Sequence, residues 1–243
     1  YDFALPPLIL HALYTGDAEP CKRWLDMAPR NCVTVLDTHD GIGILDIARD
    51  DSRDGLLSDD EVISLVNTIH ERTKGLSERA SGHAASNLDV YQVNSTYYDA
   101  LGGEDVEYLI ARAIQFFAPG TPQVYYAGLL AGRNDIDLVQ ETGVGRDINR
   151  HYYSRAEIRE EMRRPVVVRL MQLIRLRNAT SAFGGRFSRL ECPRNEIVLR
   201  WEDDQSFAQL DVKLDERRAT IDYSGPAGSG CFRIDDEALA ETI

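Results

Sequence analysis

The segment Cys32–Gly43, CVTVLDTHDGIG, decides the fold. Its first half, Val33 to Leu36, is an unbroken β-branched and apolar run, the pattern of a strand covered on both faces in a parallel sheet. Its second half places Asp37, Thr38, His39 and Asp40 at the strand's end, with Gly41 and Gly43 permitting a sharp turn. In parallel α/β folds the reactive groups gather beyond the carboxyl ends of strands, where exposed loops rest on a rigid support. A carboxylate beside a neutral imidazole at that place can grip vicinal hydroxyls and stabilise positive charge developing at an anomeric carbon. On strand and composition alone, the same four residues read equally well as the cap of a turn.

Outward from this segment, strands and helices alternate. Tyr1–Leu5 reads as a short strand, and Pro6 and Pro7 fit the first turn of a helix through LILHALYTG. EPCKRWLDM predicts a second helix. Ser58 and Glu61 form a capping box that opens EVISLVNTIHERTKG, closed by Gly75. From Leu76 to Asn87 the composition turns to Ser, Gly and Ala, which predicts a long loop. Glu104 to Phe117 carries apolar residues at helical spacing and is ended by Pro119–Pro122, and QVYYA, Gln123–Ala127, reads as a third strand. Ser154 and Glu157 form a second capping box for a helix running to Arg164, and Pro165 restarts it. Arg163, Arg164, Arg169, Arg175 and Arg177 read as a solvated face, with Glu160 and Arg164 paired at i, i+4. From about Thr180 the pattern becomes EIVLRW, SFAQLDVKL and ATIDY between turns, which predicts a small antiparallel β domain with the tail from Gly225 as an edge element or frayed end. Parallel α/β followed by antiparallel β is the architecture expected. A closed (β/α)8 barrel takes about 250 residues by itself. A barrel in this chain of 243 residues is therefore a partial one, and the start at Tyr1 rather than at a methionine reads as a start in mid-fold.

Composition narrows the partners. Forty acidic residues against 27 Lys and Arg give a net charge of −13, which repels nucleic acid and anionic membrane surfaces. A small or neutral partner is expected. No stretch approaches the roughly 18 apolar residues of a membrane helix and none reads as a signal peptide, so the expected location is cytoplasmic. Cys21, Cys32, Cys192 and Cys231 lack metal-ligand spacing and are expected to be buried thiols.

Four segments together carry a specific resemblance. VLDTHDGIGILDI resembles the segment after the seventh barrel strand of the α-amylase superfamily (glycoside hydrolase family 13), in the form typical of its sucrose phosphorylase group. YDFALPPLILHAL is similar to the sixth strand and its helix, SNLDVYQVNSTYYDAL to the acceptor-site loop, and FFAPGTPQVYYAGLLAGRND with GRDINRHYY to the eighth strand and the loop after it. The match covers nearly the whole chain in order. It implies the last three βα units of the barrel over residues 1–179, with an insertion over about 44–103 after the seventh strand, and a small β domain over 180–243.

The resemblance also implies roles. Asp40 corresponds to the carboxylate that binds sugar hydroxyls and stabilises the oxocarbenium-like transition state without forming a covalent bond, and His39 to its companion on the glucose ring. Arg146 corresponds to the arginine that anchors the 4-hydroxyl of the glucosyl unit. Asp89, Tyr91 and Gln92 correspond to residues of a loop that serves fructose and phosphate in turn. The implied reaction converts sucrose and phosphate to α-glucose 1-phosphate and fructose by retaining double displacement, with no metal or organic cofactor, and a homodimer is left open. The family's nucleophilic aspartate and acid/base glutamate follow the fourth and fifth strands and would both precede Tyr1. Retaining chemistry needs that pair roughly 5 Å apart, so these residues alone are expected to be inactive, and an open barrel edge is expected to be sticky. The alternatives are a related phosphorylase or hydrolase acting on sucrose 6-phosphate, glucosylglycerol or glucosylglycerate, or a noncatalytic barrel remnant.

Overall fold

The computed structural model describes residues 1–49, 54–81, 92–226 and 228–235. Helix α1, Leu5–Thr15, starts where expected: Pro6 and Pro7 occupy its first turn, and the Leu5 N–H donates to Asp2 Oδ1 at 3.1 Å. Gly16, at φ 74°, ends it in the left-handed conformation that a side chain would resist. Helix α2, Glu19–Met27, follows, and then strand β1, Val33–Thr34. Asp2 bridges Thr34 in parallel on one side of β1, and strand β4, Thr121–Pro122, pairs with it in parallel on the other. Asp2, β1 and β4 thus lie side by side in parallel.

Two of the expected strands are shifted or shortened. Only Asp2 of Tyr1–Leu5 is paired, because the two prolines draw Leu5 into the helix. The third strand sits at Thr121–Pro122 rather than Gln123–Ala127, and helix α7, Tyr126–Leu129, already occupies the end of QVYYA. Proline is tolerated in β4 for a geometric reason. The Thr121 and Gln123 N–H groups donate to Cys32 O and Thr34 O at 2.9 Å each, so the position lacking a donor faces the open side. Among the described residues no further strand pairs with either outer edge of this parallel group.

Strand β2, Ile42–Gly43, and strand β3, Gln92–Val93, form a separate antiparallel pair. Between them, helix α3, Asp59–Arg72, opens on the expected Ser58/Glu61 capping box. The expected loop from Leu76 to Asn87 begins instead with helix α4, Leu76–Ser81; its remainder lies outside the described residues. Helix α5, Tyr97–Ala100, and helix α6, Asp105–Phe117, come next. After α7 come helix α8, Ile136–Thr142, a 3₁₀ turn, Gly145–Asn149, and helix α9, Arg155–Glu161, which opens on the Ser154/Glu157 capping box and stops three residues short of Arg164. Helix α10, Pro165–Ala179, restarts at the proline.

The C-terminal sheet has five antiparallel strands in sequence order: β5, Arg186–Leu190; β6, Glu196–Glu202; β7, Phe207–Lys213; β8, Arg218–Gly225; and β9, Gly228–Arg233. β6 to β8 are those read from alternation. β9 is the edge element expected of the tail, and β5 was not read at all. Ile197, Leu199, Trp201, Leu210, Val212 and Ile221 point inward and belong to the same hydrophobic cluster as α1, α6 and α10. The join is also polar. The last carbonyls of α6 have no intrahelical partner; Arg177 Nε donates to Phe116 O at 2.9 Å and Trp201 Nε1 to Phe117 O at 2.8 Å.

The arginine row on α10 is not a solvated face throughout. Arg169 is buried with its guanidinium 4.0 Å from the Phe232 ring centroid, and Arg177 lies 3.8 Å from that of Phe183, where burial lowers its pKa to about 10. Arginine stems and planar heads cover apolar surface, which periodicity counts as polar. Arg164 pairs with Glu161 at 2.5 Å, one residue from the expected Glu160, because the helix breaks there. Of the cysteines only Cys21 is buried; Cys32 and Cys192 are half-buried, and Cys231 is exposed on edge strand β9. No helix among the described residues is long and apolar enough to cross a membrane.

Candidate functional site

The four residues at the end of β1 divide between structure and surface. Asp37 turns inward, and its Oδ2 lies 2.5 Å from Nη2 of Arg112 on α6, which is fully buried. Tyr108 also accepts from Arg112, at 3.0 Å from Nε and 2.7 Å from Nη2, and Arg112 Nη1 donates to Gln115 Oε1 at 2.9 Å. Burial opposes the Arg112 charge, but Asp37 and Tyr108 outweigh it and hold its pKa above the ordinary value. A Cβ at Gly128 would stand 2.0 Å from Asp37 Oδ2 and 2.1 Å from Arg112 Nη2, so only glycine lets α7 pass this pair. Asp37 anchors the strand end.

Asp40 turns outward. The turn between them is closed locally, the Asp40 N–H donating to Thr38 Oγ1 at 3.1 Å. Asp40 Oδ1 accepts from Arg146 Nη1 at 2.9 Å across 106 residues of sequence, and Asp40 Oδ2 lies 3.6 Å from His39 Nε2. These side chains are 36%, 47% and 69% exposed for Asp40, Arg146 and His39. An ion pair this wet is worth only about 0–1 kcal/mol. Stability therefore does not account for it, and all three groups remain open to a ligand.

Two further contacts build the surroundings. The β2–β3 ladder sets Gly43 opposite Gln92, whose Nε2 donates to Asn94 Oδ1 at 3.4 Å. A Cβ at Gly41 would fall 2.7 Å from Val93 O, so the Thr38–Gly41 turn and the end of β3 pack backbone to backbone. The structure thus brings His39, Asp40 and Arg146 together and places Gln92 on the adjoining ladder. Asp89 and Tyr91 lie outside the described residues.

Sequence reading missed Asn149 and Arg150. Asn149 Nδ2 donates to Thr38 O at 3.3 Å and Asp40 O at 2.8 Å, and Arg150 Nε donates to His39 O at 2.8 Å. Both stand in the GRDINRHYY segment already quoted, but side chains that bond to backbone carbonyls leave no signal in spacing. His151 is the next link, its Nδ1 2.6 Å from Asp135 Oδ2, a bond that raises the His151 pKa.

No family model matches the chain. The chain is 57% identical over 226 residues to a sucrose phosphorylase of Agrobacterium vitis, covering 93% of this chain and 46% of that protein. It is 57% identical over 246 residues to a sucrose phosphorylase of Bifidobacterium adolescentis, covering 97% and 49%. This chain is a homologue of the sucrose phosphorylases. It spans about half the length of the curated relatives it matches. Among solved structures, it superposes on the sucrose 6F-phosphate phosphorylase of Thermoanaerobacter thermosaccharolyticum with a TM-score of 0.84 and 40% identity, over 96% of this chain and 47% of that one. The similarity to the phosphorylases thus takes in both the parallel strands with their helices and the antiparallel sheet.

Proposed function

We propose that these residues form part of a sucrose-phosphorylase-type enzyme in which sucrose and phosphate give α-glucose 1-phosphate and fructose by retaining double displacement. The observation that carries the reading is the convergence of Asp40 and Arg146 at 2.9 Å, at the exposed end of a parallel strand, in a chain 57% identical to sucrose phosphorylases. Asp2, β1 and β4 are then the sixth, seventh and eighth strands of a (β/α)8 barrel. Residues 1–179 complete its C-terminal part with an insertion over about 44–103, and 180–243 form the small β domain.

In this reading the Asp40 carboxylate faces the anomeric carbon and stabilises the oxocarbenium-like charge in both displacements. Arg146 holds Asp40 in orientation and donates to a glucosyl hydroxyl, and His39 donates to the ring from beside them. Gln92, with Asp89 and Tyr91, belongs to the loop that receives fructose and then phosphate. The nucleophile and acid/base belong to the portion of the relatives that this chain does not span, so the 243 residues alone transfer no glucosyl group. Plain sucrose is favoured over its 6-phosphate because two sucrose phosphorylases match at 57% identity, against 40% for the solved sucrose 6F-phosphate phosphorylase.

The test is release of α-glucose 1-phosphate from sucrose and phosphate by the longest natural polypeptide containing these residues. Asp40→Asn should abolish release while leaving the melting midpoint nearly unchanged. Undiminished turnover in that variant would refute the role given to Asp40.

A further inference from the structure

The local bond from the Asp40 N–H to Thr38 Oγ1 is not all that holds Asp40 against Arg146. Residues Thr38, His39 and Asp40 expose three successive carbonyl oxygens that no helix or sheet satisfies, and Gly41 follows them. All three are bound by one six-residue segment more than a hundred residues later: Asn149 takes those of Thr38 and Asp40, and Arg150 that of His39. Arg150 is itself held, its Nη1 3.2 Å from Asp147 Oδ1 and its Nη2 3.9 Å from Asp40 Oδ1. The 3₁₀ turn that carries Asn149 also carries Arg146, and it is closed by Asp147 N–H to Val144 O and Arg150 N–H to Asp147 O, each at 3.0 Å. Arg146 and the anchor of Asp40 therefore sit on one hydrogen-bonded turn.

Asn149 is built for this and little else. It is buried, its amide nitrogen serves two carbonyls, and its Oδ1 has no hydrogen-bond partner among the described residues. An aspartate there would place a charged oxygen against two carbonyl oxygens and reverse the contact.

We infer that Asn149, assisted by Arg150, is the positioning residue that fixes the Asp40 carboxylate against Arg146, acting through the backbone of the Thr38–Asp40 turn rather than on substrate. The inference rests on the reading of Asp40 and Arg146 as the sugar-facing pair, and it can fail separately from that reading. In the longest natural polypeptide containing these residues, Asn149→Asp should lower kcat for sucrose phosphorolysis about 100-fold, as a displacement near 1 Å does, with a smaller change in KM. Its crystal structure, without substrate, should show Asp40 Oδ1 and Arg146 Nη1 separated beyond hydrogen-bond distance. Arg150→Lys keeps the charge but loses the Nε–H aimed at His39, and should cost kcat about 10-fold with KM within about threefold. Ser154→Ala, which removes only the cap of α9, should lower the melting midpoint and leave kcat unchanged. An Asp40–Arg146 pair intact in Asn149→Asp overturns the inference whatever the activity. So does unchanged kcat in Arg150→Lys should Asn149→Asp fail to fold. If Asp40→Asn remains active, the reading of the site fails instead.

Discussion

Replacing Gly145 by alanine tests whether the approach of α4 to the 3₁₀ turn sets the site. An added Cβ would stand 1.9 Å from the Ala80 carbonyl oxygen and 3.0 Å from Asn94 Nδ2. Ordinary contact between such heavy atoms is roughly 3.5 Å, so about 1.5 Å must be found. The Ala80 oxygen is helix backbone and cannot swing aside, so the turn itself must retreat, carrying Arg146 from its 2.9 Å contact with Asp40. Overpacking of this kind costs about 1–3 kcal/mol of stability. Misplacing a catalytic constellation by about 1 Å costs about 100-fold in rate, equivalent to about 2.7 kcal/mol of transition-state stabilisation. The assay is steady-state sucrose phosphorolysis alongside thermal unfolding, with Gly143→Ala as the control. Gly143 has φ 71° and nothing within 4 Å of an added Cβ, so alanine there meets only local backbone strain, about 1–2 kcal/mol. Gly143→Ala should melt earlier and turn over normally; Gly145→Ala should lose both. If Gly145→Ala keeps kcat/KM within threefold of the parent, the packing of α4 does not position Arg146.

Three further outcomes are expected. Asp37→Ala leaves the fully buried Arg112 without its carboxylate and should cost about 3–5 kcal/mol by urea denaturation; a loss below about 1 kcal/mol would mean that Tyr108 and Gln115 suffice to hold the charge. Trp201→Phe strips the donor from the Phe117 carbonyl at the end of α6 and should cost about 1–3 kcal/mol, which a chevron or equilibrium melt will show. The Asp135–His151 pair gives stability a pH window. The Asp135 bond raises the His151 pKa above 6.5, so its contribution is full below that value and is lost as pH rises through the folded pKa. Asp135 is opposed by burial, but the His151 bond and backbone donors lower its pKa below 3.8, so its contribution is lost only as pH falls through that lower value. The difference in melting midpoint between parent and His151→Gln should therefore be largest near pH 5–6 and shrink by pH 8.5; a difference constant across that range would count against the charged pair.

Much of the local structure was legible in the residues. Both capping boxes formed as Ser58/Glu61 and Ser154/Glu157 predicted, and strands β6 to β8 followed the alternation of their side chains. These features answer to contacts within a few residues, where spacing is the physics. Errors arose where a local preference met a long-range constraint. Gln123–Ala127 has strong β-propensity, but the ladder with β1 runs over Thr121–Pro122 and α7 takes Tyr126. Arg169 and Arg177 are polar by type and were placed in solvent; rings from Phe232 and Phe183 took them in.

The candidate site divides along the same line. The sequence by itself determined which residues stand at the end of β1 and that Asp40 and His39 are neighbours, because a strand end is local; Arg146 was named only by the family resemblance of GRDINRHYY. Only the tertiary structure decided that Asp37 turns inward to Arg112 while Asp40, three residues on, turns out to Arg146, and that Asn149 and Arg150 hold the turn between. Those choices are made by hydrogen bonds whose partners lie 75 to 111 residues apart. No periodicity reports a bond of that span, since it exists only once the chain has folded and closed the distance.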